Sequence, residues 1–420
     1  MRYGRSIVLA GLVMGLVGLA PVVGRVGLAQ TVAQTTEQRK AEANRLLQQG
    51  IQQYEVSQVE AAFQSWQQAL VMYREIKNRL GERNALGNLG LAYQALGNYA
   101  KAIQYHEQSL AISREIKDRQ IEGNTLGNLG LAYQALGNYA KAIEYQEQSL
   151  AIARELKDRL GEGAALGNLG NTYQLLGNYA KTIEYQEQSL AIKREIKDGQ
   201  GEGQSLGNLG NAYYSLGNYA KAIQSYEQSL AIARKIKDRQ SEGQSLGNLG
   251  NTYQALGSYA KAIQYYEQSL AIAREFKDRR GEGAALGNLG NAHKSLGNYA
   301  KAIKYHEQSL AISREIKNRL GEGQSLGNLG LAYQALGNYA KAIQYHEQHL
   351  AISREIEDRL GEGQSLGNLG VAYQSLSNYA KAIQYHEQSL AIKREIRDRL
   401  GEGSSLGNLG LAYYSLGNYQ

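Results

Sequence analysis

Apolar side chains in residues 83–122 follow two helical registers separated by a break. Leu86, Leu89, Tyr93 and Leu96 fall at steps of 3, 4 and 3, which is one face of a helix, helix A. Tyr99, Ala102, Ile103, His106, Leu110, Ile112 and Ile116 continue a second helical period through to Lys117. This helix B would be about 19 residues and ~28 Å long. Gly97 suits the left-handed position that ends a helix, and Asn98 beside it can cap the next one. Asp118 opens the link to the following helix A as a suitable N-cap, with Glu122 near the positive end of that helix. The pattern predicts an antiparallel helical hairpin.

The hairpin is one of many. Leu86-Gly87-Asn88-Leu89-Gly90 returns every 40 residues, beginning at Leu126, Leu166, Leu206, Leu246, Leu286, Leu326, Leu366 and Leu406. A period of this size means stacked supersecondary units rather than one globular domain. A lone hairpin would not hold, because ordering each residue costs ~1–2 kcal/mol in backbone entropy while each apolar side chain returns ~1.5–3 kcal/mol even when fully buried. Burial against both neighbours has to close the gap. Gly87 and Gly90 weaken helix A by ~1 kcal/mol each relative to Ala. Gly90 is therefore expected to let helix A lie close to helix B, with Ala102 as the matching small residue.

Leu89, Gly90, Tyr93, Ala102 and Leu110, within Asn-Leu-Gly-x-Ala-Tyr-x-x-Leu-Gly-Asn-Tyr-x-x-Ala-Ile, resemble the tetratricopeptide repeat over residues 43–420. Leu86 stands where that family usually has Trp, and Arg114 where it often has Pro. Without the Pro, helix B need not end there, which accommodates a unit longer than the usual ~34 residues. Long repeats of this kind are similar to those of kinesin light chain and of Pins-type scaffolds that bind GoLoco peptides. The resemblance implies an all-α fold, a right-handed α-solenoid superhelix of stacked antiparallel helix hairpins. Residues 43–82 read as a diverged N-terminal capping repeat with Phe63, Trp66 and Met72, bulkier residues expected where one face of the stack lacks a neighbour. Eight repeats of 40 residues occupy 83–402, and 403–420 supply only a final helix A.

The first 29 residues break the pattern: Arg2 and Arg5 precede an apolar run from Ile7 to Ala20, then Pro21 and Gly27-Leu28-Ala29. This is the form of a secretory signal peptide cleaved after Ala29, and it points to a secreted or periplasmic bacterial protein with no stable membrane span after cleavage. An uncleaved anchor is disfavoured by Gly11, Gly15, Gly18 and Pro21, and by a run shorter than the ~20 residues a span requires. Residues 30–42 form a polar leader into the first helix. Loss of Arg2, Arg5 and Arg25, with no acid among them, lowers the formal charge from +7 to +4, which says little about partners. The chain has no Cys, so disulfides, thiolate metal sites and cysteine nucleophiles are excluded.

Catalysis needs a unique constellation, whereas nearly every polar residue here recurs in each repeat; an enzyme is not expected, nor a cofactor. His106, His306, His346 and His386 share one helix B position, with Gln146, Gln186, Tyr226 and Tyr266 in the other repeats. One repeat apart they would stand ~10 Å from each other, too far for a shared metal with nitrogen bonds of ~2.0–2.1 Å. They read as half-buried packing positions. The stripe Arg114, Arg154, Arg194, Arg234, Arg274, Arg314, Arg354 and Arg394 has an acid or Lys at i+1 and mostly Asp or Asn at i+4, so it reads as an internally paired, solvated face rather than a nucleic-acid site.

The concave surface, lined by helix A in tetratricopeptide arrays, is the remaining candidate. Asn88 and its counterparts Asn168, Asn208, Asn248 and Asn288 lie there, followed three residues on by a position that varies. It is Leu91 and Leu131, then Asn171, Asn211, Asn251 and Asn291, then Leu331, Val371 and Leu411, a polar middle with apolar ends. An amide offers donors and an acceptor, so a ladder of Asn pairs can grip an extended backbone whatever its side chains. The Gly87-type residues would leave room, and Tyr214, Gln254 and Lys294 complete the groove. The resemblance to kinesin light chain implies that Asn88-type residues contact bound peptide; that they only satisfy a neighbouring helix remains open. The carboxylate clamp of other tetratricopeptide proteins is not expected, since Lys and Arg are missing at the Gly87 and Asn88 positions.

The leading expectation is a non-catalytic scaffold holding a peptide or partner segment in this groove. Two alternatives stand beside it: a sensor or recruitment arm whose effector domain lies beyond Gln420, and self-association through the C-terminal edge formed by Leu406, Leu409, Tyr413 and Leu416.

Overall fold

The structure, a computed structural model, describes residues 35–417; the signal-peptide reading lies outside them. All regular structure among these residues is helical. The chain runs α1 Thr36–Glu55, α2 Val59–Glu75, α3 Arg79–Ala95, α4 Tyr99–Glu115, α5 Arg119–Ala135, α6 Tyr139–Glu155, α7 Arg159–Leu175, α8 Tyr179–Glu195, α9 Gly199–Ser215 and α10 Tyr219–Ile236. It continues with α11 Arg239–Ala255, α12 Tyr259–Glu275, α13 Arg279–Ser295, α14 Tyr299–Glu315, α15 Arg319–Ala335, α16 Tyr339–Glu355, α17 Arg359–Ser375, α18 Tyr379–Glu395 and α19 Arg399–Leu416. Odd-numbered helices are the A helices and even-numbered ones the B helices. Each pairs with its chain neighbours.

Both turns of the unit are closed by local chemistry. After α3, Gly97 at φ +72° is left-handed; its N–H donates to the Gln94 carbonyl while Asn98 N–H donates to Tyr93. That pair of bonds is the Schellman arrangement, and the Asn98 side chain then accepts from Lys101 N–H to start α4. Helix B ends the same way, and here the expectation fails. It does not run to Lys117: α4 has 17 residues, and Lys117 itself is left-handed at φ +56°. Lys117 N–H donates to Arg114 and Asp118 N–H to Ser113. The Asp118 carboxylate caps Ile121 N–H, so the turn is held from both sides without glycine or proline.

Packing of A against B keeps the expected Gly90–Ala102 type of match, since a Cβ on Gly130 would lie 3.2 Å from the Ala142 carbonyl oxygen, and adds a second residue to it. A Cβ on Gly90 would lie 2.4 Å from Cε1 of His106, so it is the imidazole that fills the hollow glycine leaves. His106 is fully buried, not half-buried, as are His306, His346 and His386. Trp66 takes the same place against Gly50 and donates from Nε1 to the Leu47 carbonyl at 3.1 Å. It is core, not a cover over an open face. Leu86, Leu89 and Ala92 are likewise completely buried between hairpins.

The Arg stripe is internally paired, but not with its i+4 acids. Arg114 Nε donates to Glu122 at 2.8 Å, Arg119 holds the other oxygen of Glu122 at 2.5 Å, and Arg119 reaches Glu155 at 2.5 Å. One carboxylate therefore ties helix B to the next helix A, and one Arg ties that helix A to its own helix B.

Candidate peptide-binding face

Successive A helices approach one another within 8 Å between Cα atoms all along the array, and no two successive B helices do. The stack therefore curves with its A helices on the inner side. Asn168, Asn171, Asn208, Asn211, Asn248, Asn251, Asn288 and Asn291 all lie on A helices and are at least partly exposed.

The second Asn is held from below by helix B in three of the four pairs; beneath Asn291 stands His306, whose ring nitrogens have no hydrogen-bond partner. Tyr226 OH donates to Asn211 Oδ1 at 2.6 Å, Tyr266 OH to Asn251 Oδ1 at 2.8 Å, and Gln186 Nε2 to Asn171 Oδ1 at 2.8 Å. Neighbouring repeats add to this: Asn208 Nδ2 donates to Asn171 Oδ1 at 2.8 Å and Asn288 Nδ2 to Asn251 Oδ1 at 3.3 Å. The oxygens are thus occupied. The amide nitrogens of Asn171, Asn211 and Asn251 donate to no protein group among the described residues. Burial pushes the Tyr226 and Tyr266 phenols up, so both stay protonated donors across the physiological range.

Between Asn211, Asn248, Asn251 and Asn288 lies a recess of about 650 Å³, floored by Gly243 and Gly247 and walled by Tyr266 and Phe276. Along the inner face it is followed by a recess of about 230 Å³ that shares Asn288 and includes Asn291 and Asn328. A Cβ on Gly247 would meet only Ser269 Oγ at 3.6 Å, so packing does not require glycine there, in contrast to Gly250. Of the remaining candidates, Tyr214 is exposed, with its ring centroid 5.5 Å from that of Tyr219, and borders a recess of about 290 Å³ with Gln254. Gln254 Oε1 lies 3.1 Å from the same Tyr266 hydroxyl, a longer contact than the one to Asn251. Lys294 Nζ donates to Asn328 Oδ1 at 2.9 Å, and burial pulls its pKa down.

Sequence reasoning missed the helix B tips that hold the Asn ladder. A partial signal was present: Gln186, Tyr226 and Tyr266 each come 15 residues after an Asn, and His106, His346 and His386 come 15 after Leu or Val, but His306 comes 15 after Asn291 and Gln146 15 after Leu131. The long side chains at 186, 226 and 266 reach the amide; the His306 imidazole does not. Neither ring nitrogen of His306, His346 or His386 has a hydrogen-bond partner. Among the described residues no group of three metal-ligating side chains occurs, and no helix is long and apolar enough to cross a membrane.

Stacked helical hairpins with an inner helix A define the class as an α-solenoid repeat protein. The Tetratricopeptide repeat profile matches residues 41–115, 121–195, 201–275, 281–355, 321–395 and 361–420, and the chain belongs to that family. A signal-transduction ATPase with a tetratricopeptide repeat sensor from Pyrococcus horikoshii superposes with TM-score 0.61 at 18% identity, over 81% of this chain and 55% of that one. The apo quorum sensor NprR from B. thuringiensis superposes with TM-score 0.55 at 18% identity, over 83% of this chain and 96% of its own. Nearly identical repeats of kinesin light chain type from Podosopora anserina reach 26% identity over 46% of this chain and 95% of their own, with TM-score 0.41. No curated protein matches the sequence. Tetratricopeptide proteins bind protein or peptide partners, and their repeats are generally interaction scaffolds without catalytic activity.

Proposed function

We propose that this chain is a non-catalytic scaffold that holds an extended peptide segment along its inner face, mainly over residues 163–322. The observation that carries this reading is the row of Asn amides whose oxygens are fixed by Tyr226, Tyr266 and Gln186 while their nitrogens are free. Donors fixed at intervals and backed by rigid rings suit the carbonyls of an extended backbone, and their preorganisation reduces the entropy lost on binding. Glycine at 247 leaves the backbone of the ligand room to approach. The partner belongs outside the cytoplasm, following the signal-peptide reading of residues 1–29. Replacing Asn171, Asn211, Asn251 and Asn291 together by Leu should abolish capture of partner from an envelope extract by the chain beginning at Gln30, with the helical circular dichroism spectrum kept. Unchanged capture would refute the groove assignment.

A second reading is self-association through an outer face of α19 with Leu406, Leu411, Tyr413 and Leu416. Leu411 and Leu416 are exposed there much as Leu131 and Leu136 are within the array, so these two single out no interface. Leu409 does not belong to that face, being buried against Ala382, Ile383 and Leu390. The third reading, a sensor arm, draws on the two structural neighbours named as sensors, whose likeness to this chain is one of fold.

A further inference from the structure

Seven of the hairpins carry a stacked pair of rings between helix A and helix B. Tyr93–Tyr105, Tyr133–Tyr145, Tyr173–Tyr185, Tyr253–Tyr265, His293–Tyr305, Tyr333–Tyr345 and Tyr373–Tyr385 all have centroids 5.3–5.4 Å apart. In the hairpin of α9 and α10 only half of the pair remains. Tyr213 is present, but Ser225 stands where the second ring would be. The space is not refilled: it is a recess of about 380 Å³ lined by Tyr213, Ser225, Leu206, Leu209 and Leu190, with Glu187 and Arg194 at its edge. The first hairpin shows what a compensated loss looks like. There Ser65 also lacks the ring, but the partner position is Gln53, the two share a hydrogen bond of 2.8 Å, and Phe63 packs edge-on against Tyr93 at 5.0 Å.

We propose that the Ser225 recess is a binding site for a single phenolic ring, which would stack on Tyr213 as a tyrosine does in the other hairpins. Its walls already have the complementary shape, because equivalent residues enclose a tyrosine elsewhere in the same chain. Its polar end matches too. Around the Tyr105 phenol lie Arg74 and Gln67, and their counterparts three repeats on are Arg194 and Glu187, which line the recess. Glu187 accepts from Tyr213 OH at 3.3 Å, and Lys221 Nζ sits 5.1 Å from the Tyr213 centroid, so the resident ring is held in place while empty. The volume lies within the range of about 300–1,000 Å³ usual for small-ligand sites. Ring pairs in offset stacking gain more than their area burial alone, which favours a planar aromatic over an aliphatic of equal size. The site faces away from the Asn ladder and does not depend on the peptide-binding reading.

The probe is p-cresol, the tyrosine side chain cut at Cβ, added to the whole chain and followed by saturation-transfer NMR. Wild type should show saturable binding that 4-methylcyclohexanol, the non-planar analogue, displaces at least tenfold less well. Ser225→Tyr should lose the signal, and Tyr145→Ser, which opens the same space two repeats earlier, should double the stoichiometry. If Ser225→Tyr does not keep the native circular dichroism spectrum, Ser225→Leu has to show the loss instead. Displacement of p-cresol by the peptide Gly-Gly-Tyr-Gly-Gly would support a ring carried by a polypeptide; p-cresol binding without such displacement would support a free phenol. No saturable binding to wild type, binding unchanged in the filled variant, or equal displacement by 4-methylcyclohexanol overturns the proposal.

Discussion

Imidazole at the His106 position is buried between helices A and B, and protonating it there is costly. Burial pulls His106, His306 and His346 down to about 4, with the charges of Lys294 and His349 adding to the effect at His306 and His346 respectively. In the unfolded chain the same groups titrate near ~6.5. Between these values the unfolded state binds more protons, so stability falls as pH drops from about 6.5 to about 4 and does not change through these groups above that window. The loss reaches at most ~3 kcal/mol per histidine at the acid end. Replacing His306, His346 and His386 by Gln, the residue at 146 and 186, should leave the urea midpoint at pH 7.5 within a small margin and flatten its decline towards pH 4.5. The glycines facing this position behave oppositely to those in the groove. Gly250→Ala would put a methyl 2.5 Å from Tyr266 Cε1 and should destabilise by ~1–3 kcal/mol. Gly247→Ala meets nothing closer than 3.6 Å and should stabilise by up to ~1 kcal/mol while weakening partner capture. Thermal melts and pull-downs on the two variants check both signs.

Eight of the nine hairpins formed by α1 to α18 are clamped at the open end by an Arg at the start of helix A and a Glu at the end of helix B, as in Arg119–Glu155. In α9 and α10 these two positions are Gly199 and Lys235, so both partners are missing from the same hairpin. Restoring one alone should give no ion-pair gain: Gly199→Arg would face Lys235, and Lys235→Glu would face glycine. Together they should show a favourable coupling of ~0.2–1 kcal/mol, the range for exposed pairs, in a double-mutant cycle of urea midpoints. Such element-level chemistry was only partly legible in the sequence. The 40-residue period, the A and B faces and the caps at Asn98 and Asp118 could be read directly, because apolar spacing and capping residues act locally. The end of helix B could not. Lys117 has no preference for positive φ, and its turn forms because Asp118 is fixed by the next helix. The Asn positions were visible as a face, whereas their engaged oxygens depend on Tyr226 and Tyr266 reaching across from another helix.

In a stacked array, stability is close to a sum of intrinsic hairpin terms and nearest-neighbour interfaces, so one weak hairpin sets where the whole molecule first opens. Two losses coincide in α9 and α10. Gly201, Gly203, Gly207 and Gly210 recur in α7 as Gly161, Gly163, Gly167 and Gly170, so only Gly199, at the first position of the helix, sets the backbone of α9 apart. Gly199 and Lys235 remove the clamp, and Ser225 removes the ring that would cover Tyr213. The neighbouring hairpin of α7 and α8 keeps both Arg159–Glu195 and Tyr173–Tyr185. Hydrogen exchange read by mass spectrometry should therefore find α9 and α10 exchanging faster than the hairpins on either side, splitting the array into two more protected blocks. Combining Ser225→Tyr with Gly199→Arg and Lys235→Glu should even out the profile and sharpen the urea transition. A profile that falls smoothly from the ends to a protected centre at α9 and α10 would show that interfaces with α8 and α11 outweigh both losses, and the weak-hairpin account would fail. If the account holds, the inner groove bends most easily at the hairpin that supplies Asn208 and Asn211, beside the recess of about 650 Å³.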